Sequence, residues 1–216
     1  QKMTSGTLKF KKYISNFVKP FLFLIFIMSI KAFSQGELIY SFTGKNFNDS
    51  LQVMVPCNLQ FRYDLQNDIL FFIIREKNGL ASYMFNSVER DSVKLAINKY
   101  FEWEQKAEEV DLEIAKSITT IQIPVYFQQF ISKKGYTNGG GIMEMYFLSQ
   151  DVGWHQLVLK FRKIQSREKP DETYRPKHVY LNKENILKLK EGFNNNYLKS
   201  FRKKTETQKN IEEQFK

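Results

Sequence analysis

The chain has 216 residues, of which 42% are hydrophobic and 15% aromatic, and its formal net charge is +10. This apolar and aromatic content excludes an intrinsically disordered chain, which cannot bury a core. The charge is uneven: residues 1–34 hold six lysines and no acidic residue, which leaves 27 basic and 23 acidic residues, or +4, for residues 35–216. Residues 35–182 carry 18 charges of each sign. A domain-wide basic surface of the kind that binds nucleic acid is therefore not expected.

The first 34 residues have the pattern of a secretory signal peptide. Phe21–Ile30 is a run of ten uncharged residues, lysines precede it, and Ala32 and Ser34 are small residues at its end. A basic start, an apolar run of roughly 7–15 residues and a small-x-small end are typical of export signals. The run is shorter than the about 20 apolar residues of a membrane-spanning helix. We predict cleavage near Ser34-Gln35 and a protein that is periplasmic or extracellular; an uncleaved anchor is the alternative.

The segment Phe33-Ser34-Gln35-Gly36 resembles the ends of export signals of Bacteroidota, where glutamine often follows the cut. This resemblance implies a bacterial envelope location and carries no activity. Cys57 is the only cysteine, so residues 35–216 form no internal disulfide. We predict one globular domain over 35–200, which can bury a sufficient core without a disulfide, and a charged, frayed tail over 201–216.

Short strands dominate the first half of this domain. Alternating or continuous apolar runs between turn signals predict five strands, at 38–43, 51–55, 58–64, 69–74 and 80–85. Pro56 indicates a sheet edge, because proline has no N–H to donate to a ladder. The segment Lys77-Asn78-Gly79 predicts a hairpin turn in which Asn78 and Gly79 adopt positive φ. A helix follows, with Asp91 as its predicted N-cap, and its apolar residues share one face: Val93, Ala96, Ile97, Tyr100 and Phe101.

The second half repeats this order. Strands are predicted at 119–127, 142–148, 154–164 and 178–181, and Pro124 again indicates an edge. Asn182 is the predicted N-cap of a final helix. The apolar residues of this helix follow the helical period: Ile186, Leu189, Phe193 and Tyr197.

These elements predict an α+β fold with a mainly antiparallel sheet and two helices. Strands joined as hairpins pair antiparallel, and a helix after each set covers one face or one end of the sheet. The plan of four strands and a helix would occur twice, which divides the domain into halves 35–115 and 116–200. A β-sandwich with appended helices is the alternative.

No catalytic residue, cofactor or metal ligand is predicted. His155 and His178 are the only histidines, and they lack the spacing that metal sites use. The sequence neighbours of Cys57 do not activate a thiol. A hydrolase built on Cys57 or on a histidine–acid pair requires that Cys57, His155 and His178 meet in one cleft. We expect packed or hydrogen-bonded side chains instead.

The candidate binding surface is a basic and aromatic sheet face. Tyr146, Trp154, Lys160 and Arg162 lie on adjacent predicted strands. Cations contact phosphates and rings stack on bases when a sheet binds single-stranded nucleic acid. The plan of four strands and a helix, twice, resembles the topology of the PUR and whirly single-strand-binding proteins, and this resemblance implies the same function. An exposed strand face rich in lysine and arginine is the alternative.

The function we expect is that of an exported, non-enzymatic binding or structural module of the cell envelope. An uncharged body behind an export signal favours this interpretation. Its partner would be an envelope protein or a glycan, and no stable membrane span would remain after signal cleavage. The alternative is a single-stranded nucleic-acid-binding protein that uses the basic, aromatic face, and export opposes it.

Overall fold

The computed structural model describes residues 36–48, 51–110, 113–130, 137–151 and 153–215. The predicted signal peptide and its cleavage site lie outside this part of the chain. The described strands are β1 (Glu37–Asn48), β2 (Val53–Asp64), β3 (Ile69–Glu76), β4 (Gly79–Phe85), β5 (Ile114–Gln129), β6 (Thr137–Asp151), β7 (Trp154–Phe161), β8 (Ile164–Ser166), β9 (Thr173–Tyr174) and β10 (Val179–Leu181). The described helices are α1 (Ser87–Val110), α2 (Lys183–Gly192) and α3 (Asn195–Glu213). None of these helices is long and apolar enough to cross a lipid bilayer.

The predicted α+β fold with a mainly antiparallel sheet is confirmed. Eight strands form a closed ring in the order β1-β2-β3-β4-β5-β6-β7-β10, because β10 pairs with β1 and β5 pairs with both β4 and β6. The short strands β8 and β9 extend from β6. The first half has four described strands and a helix, because two of its five predicted strand segments belong to one strand, whereas the second half has six described strands and two helices. The ring is one continuous sheet, so the β-sandwich alternative is wrong.

Two prolines lie where their strand is paired with another strand on one side only. The predicted strands at 51–55 and 58–64 are one strand, β2, which contains Pro56. β2 pairs with β3 only from Asn58 onward, so Pro56 has a strand partner on the β1 side alone. Pro124 on β5 likewise lies beyond the last residue, Val125, that pairs with β4. Both prolines therefore occupy local edges within a closed ring, which agrees with their missing N–H.

The local backbone structure differs from the prediction at one helix N-cap and at one hairpin turn. Asp91 is not the N-cap of the first helix; Asn86 is, because its Oδ1 accepts the N–H of Val88 at 2.8 Å and Glu89 Oε2 accepts the Asn86 N–H at 2.9 Å. This reciprocal pair is a capping box. In the hairpin between β3 and β4, Glu76 pairs with Gly79, and no positive φ occurs at Asn78 or Gly79.

The final helix is two helices. Asn182 caps α2 as predicted, and its side chain accepts the N–H of Asn185. The chain then breaks at Phe193, and Asn194 caps α3 by accepting the N–H of Asn196. α3 continues to Glu213, through residues where fraying was expected. The break places Phe193 inside the core, where its side chain is 1% exposed.

Aromatic side chains fill the interior of the ring. Tyr83 on β4 stacks on Phe161 on β7 with ring centroids 4.8 Å apart. Because β4 and β7 are not neighbours in the ring, both side chains point inward. Phe147 on β6 packs against Tyr100 of α1 at 5.4 Å. The inner face is therefore the core, and the alternate residues of each strand face outward.

Candidate functional site

A cleft lies on the outer face of the ring, where α2 begins. Its volume is about 510 Å³, within the range of about 300–1,000 Å³ that small-ligand sites occupy. Residues of β1, β2, β7, β10 and the first turns of α2 line it: Ser41, Phe42, Thr43, Gly44, Lys45, Met54, Pro56, Gln156, Tyr180, Asn182, Glu184, Asn185 and Lys188. We call it the α2 cleft.

Strand register brings the floor of the α2 cleft together. Lys45 on β1 pairs with Pro56 on β2 and with Tyr180 on β10. Tyr180 pairs in turn with Val158 on β7. Directly paired residues in neighbouring strands lie on the same face, so Pro56, Lys45 and Tyr180 form a row across the outer surface. The Tyr180 side chain is half-buried in this row.

Asparagine side chains attach the helical wall to the floor. Asn182 Oδ1 accepts the Asn185 N–H at 3.0 Å, which caps α2. Asn185 Nδ2 donates to the backbone oxygen of Thr43 at 2.9 Å. The first turn of α2 is therefore attached to β1 by a hydrogen bond.

Gln156 places an unsatisfied acceptor in the lining. Its Oε1 atom is buried and has no hydrogen-bond partner among the described residues. An unsatisfied buried polar group costs about 1–3 kcal/mol, and native proteins contain few of them. Because this atom is closed to solvent, a ligand in the α2 cleft would reach it only if the Gln156 side chain moved.

The charges in the lining nearly cancel. Lys188 Nζ lies 2.6 Å from Glu184 Oε1, and the hydrogen bond from this ammonium lowers the pKa of Glu184. Lys45 is the remaining charged residue of the lining. The α2 cleft therefore combines amide, hydroxyl and phenol groups with one uncompensated positive charge.

The sequence-predicted binding residues lie outside the α2 cleft, on the outer face of β6 and β7. Lys160 Nζ lies 3.7 Å from the centroid of the Tyr146 ring, a cation–π contact. Arg162 Nε donates to Glu144 Oε1 at 2.5 Å, and the bound guanidinium lowers the pKa of Glu144. Tyr146, Lys160 and Arg162 are thus brought together, with a carboxylate among them.

Trp154 does not join this group. It is the first residue of β7 and pairs with Asp151, whereas Tyr146 pairs with Val158. Four residues of strand separate these two pairs, about 13 Å at about 3.3 Å per residue. The Trp154 side chain is 37% exposed. The predicted set of four residues is therefore a cluster of three and a separate tryptophan.

The residues of the hypothetical hydrolase do not meet. The row that contains Pro56, Lys45, Tyr180 and Val158 spans three strand spacings, about 14 Å at about 4.8 Å each, and Cys57 and His155 lie near its opposite ends. Burial, and after it the negative charge of Glu76, raises the pKa of the Cys57 thiol to about 12. Such a thiol is a poor nucleophile at neutral pH, because the thiolate is the reactive form.

His178 has a structural partner of its own. Its Nδ1 atom accepts the N–H of Phe161 at 3.3 Å, which connects the segment before β10 to the end of β7. This bond agrees with the expectation of a hydrogen-bonded histidine.

The structure also reveals a serine–histidine–acid chain that sequence reasoning missed. His155 Nδ1 lies 3.1 Å from Ser149 Oγ. Its Nε2 lies 3.1 Å from Glu108 Oε1, but the two atoms are not oriented to form a hydrogen bond. Ser149 is 1% exposed, and His155 stacks on Phe147 in the core, so a substrate has no access to the hydroxyl. The signal in the sequence is the position of Ser149 opposite His155 across the β6–β7 turn.

The comparisons with known proteins add no functional residue to this list. Within the described ranges, no group of three His, Cys, Asp or Glu side chains is placed to hold a metal ion. No protein-family model matches this chain, and no curated protein or solved structure is significantly similar to it.

Proposed function

We propose that this protein is exported and acts as a non-enzymatic binding module of the bacterial cell envelope, with the α2 cleft as its binding site. The observation that carries the proposal is the cleft itself, a volume of about 510 Å³ lined by hydroxyl, amide and phenol side chains. The pattern of residues 1–34 supports export.

The chemistry of the nucleophiles favours binding over catalysis. The raised pKa of Cys57 keeps its thiol protonated at neutral pH. The Ser149 hydroxyl is closed off from solvent by its own strand pairing and by the core. The α2 cleft contains neither residue, and its amide and hydroxyl groups are suited to hydrogen bonding with a ligand.

Export predicts the form in which the protein is recovered from cells of its native type. The intact mass of the protein from the envelope or medium fraction should match a chain that starts at Gln35, because the small residues Ala32 and Ser34 precede that position. Mass spectrometry of fractionated cells tests this. A full-length mass in the cytoplasmic fraction would refute export.

A substitution that fills the α2 cleft should abolish binding to the envelope. Thr43 is exposed and lines the cleft, so Thr43→Arg places a long side chain in the ligand volume. We expect about a tenfold or greater loss in co-sedimentation with purified envelopes, equivalent to about 1.4 kcal/mol. Gln122→Arg is the matched control, since Gln122 is an exposed, outward-facing residue of β5 outside the cleft. Equal binding by both variants would refute the role of the cleft.

A single-stranded nucleic-acid-binding function is the second candidate, and one contact favours it. Lys160 over Tyr146 combines a cation and a ring on one sheet face, as such sites require. Arg162 is already neutralised by Glu144, which weakens the electrostatic part of this candidate. Binding to a single-stranded oligonucleotide that falls steeply with salt, and falls further in Lys160→Ala, would support it; no binding at low salt would exclude it.

A further inference from the structure

We propose that the ligand of the α2 cleft is an uncharged oligosaccharide of the cell envelope, an inference that rests on the proposed binding function. Three features of the lining carry it: its hydrogen-bonding groups, its charge balance and the Tyr180 ring. A fourth feature, the pairing of Lys45 and Tyr180 with strands on both sides, leaves this part of the floor without a free edge for an extended peptide.

The polar lining is made of groups that match hydroxyls. Ser41, Thr43, Asn182 and Gln156 provide hydroxyl and amide groups from three different elements. A sugar hydroxyl donates and accepts at once, so it can pair both with the hydroxyl groups and with the amide groups of this lining. A site built to bond hydroxyls rejects analogues without them, because its own buried groups then stay unpaired.

The charge balance argues against an anionic ligand. Glu184 and Lys188 form an ion pair with each other, and Lys45 is the one remaining charged residue of the described lining. Phosphate recognition generally uses several converging cations or a bidentate arginine, and the lining contains no arginine. A ligand without charge therefore fits better than a phosphate or a nucleic acid.

The aromatic floor is suited to the flat C–H face of a sugar ring. Tyr180 lies between Lys45 and Val158 in the strand register and lines the cleft half-buried. Met54 and Pro56 continue this surface as an apolar wall. An amphipathic side chain of this kind supplies a large contact area at low conformational cost.

The central row of the floor has no free backbone edge. Lys45 pairs with Pro56 on one side and with Tyr180 on the other, and Tyr180 pairs with Lys45 and Val158. Peptides in extended form commonly add to a sheet at an unpaired edge. Lys45 and Tyr180 therefore present side chains to a ligand and no free strand edge.

The test uses purified envelopes from cells of the native type, divided into three portions. One is untreated, one is digested with proteinase K, and one is oxidised with periodate, which cleaves the vicinal diols of sugars. We expect the protein to bind the untreated and the protease-treated material equally, and to lose at least about tenfold in binding after periodate. Binding that is lost after protease and survives periodate would overturn the oligosaccharide and leave the binding function intact. No binding to any portion would overturn both proposals.

Variants of the floor residue sharpen this test. Tyr180→Ala should reduce binding to the protease-treated envelopes about tenfold, whereas Tyr180→Phe, which keeps the ring, should retain most of it. Tyr126→Ala is the control, because Tyr126 is half-buried on the outer face of β5 and outside the cleft. Thermal unfolding of each variant checks that the fold is retained. If both variants are folded, equal binding by Tyr180→Ala and Tyr126→Ala would show that the Tyr180 ring does not contact the ligand, and this would overturn the proposal.

Discussion

Phe61→Ala is expected to lower the free energy of unfolding by about 4 kcal/mol, the range observed for large-to-small changes at fully buried aromatic sites. Phe61 is fully buried on β2. Its ring lies 5.1 Å from Phe72 and 5.3 Å from Phe193, centroid to centroid. It therefore connects three parts of the core: β2, β3 and the end of α2. Chemical denaturation at 25 °C measures the loss.

The site has little freedom to collapse around the missing ring. A Cβ atom built on Gly192 would come within 2.7 Å of the Phe61 ring, so backbone and ring are already in close contact. The cavity left by alanine should stay open, which adds to the lost transfer free energy. Phe61→Leu should cost less, about 1.5 kcal/mol, since it restores most of the volume. Phe130→Ala, at a residue that is 38% exposed, is the control and should cost under about 1 kcal/mol. A loss below about 1.5 kcal/mol for Phe61→Ala would contradict this description of the core.

The fold class was predictable because it depends on local patterns. The alternation of Leu59, Phe61 and Tyr63 with polar residues identifies a half-buried strand, and these three residues are buried in the structure. The N-cap at Asn182 depends on a single residue and its neighbours, and it is confirmed. The start of the first helix was predicted wrongly at Asp91. The helix begins after Asn86, because the capping box of Asn86 and Glu89 satisfies two backbone N–H groups.

The α2 cleft was not predictable, because it depends on how the ring closes. Its floor requires that Lys45 of β1 pair with Tyr180 of β10, residues at opposite ends of the described domain. No local pattern of apolar residues specifies this pairing. Gln156 illustrates the same limit: its position on a strand with alternating polarity predicts an outward side chain, but it does not predict that this residue lines a cleft together with residues of β1 and α2. Strand pattern therefore predicts the faces, and long-range pairing determines which residues share a site.

The second large effect is expected at Arg90, which connects α1, the β2–β3 turn and α3. The Arg90 side chain is 3% exposed, and its guanidinium contacts both carboxylate oxygens of Asp68 at 3.0 Å. It also donates to the backbone oxygen of Asp68 at 2.7 Å and to Asn195 Oδ1 at 2.8 Å. Arg90→Met keeps an unbranched apolar side chain in place of the arginine stem and removes every donor. We expect a loss of about 3 kcal/mol at pH 7, because hydrogen bonds to charged groups contribute about 1.5–3 kcal/mol each and do not add fully.

This loss should depend on pH with a defined sign. Burial raises the pKa of Asp68, but the hydrogen bonds from Tyr63 and Arg90 outweigh it and hold the pKa below its usual range. A carboxyl group whose pKa is lowered by folding stabilises the protein above its unfolded-state pKa of about 3.9. That contribution disappears as the pH falls through the folded-state pKa. The difference between wild type and Arg90→Met should therefore be larger at pH 7 than at pH 3.

Arg62→Met is the matched control for this measurement. Arg62 Nη1 donates to the backbone oxygen of Gly36 at 3.1 Å on the outer face of β2, a single bond to an uncharged group. Its loss should cost under about 1 kcal/mol, with no change between pH 7 and pH 3. Urea denaturation of both variants at the two pH values measures all four differences. A pH-independent loss for Arg90→Met would mean that Asp68 is not the group that Arg90 stabilises. An equal loss of stability for both arginine variants would mean that the contacts of Arg90 between α1, α3 and the β2–β3 turn contribute no more than the single bond of Arg62.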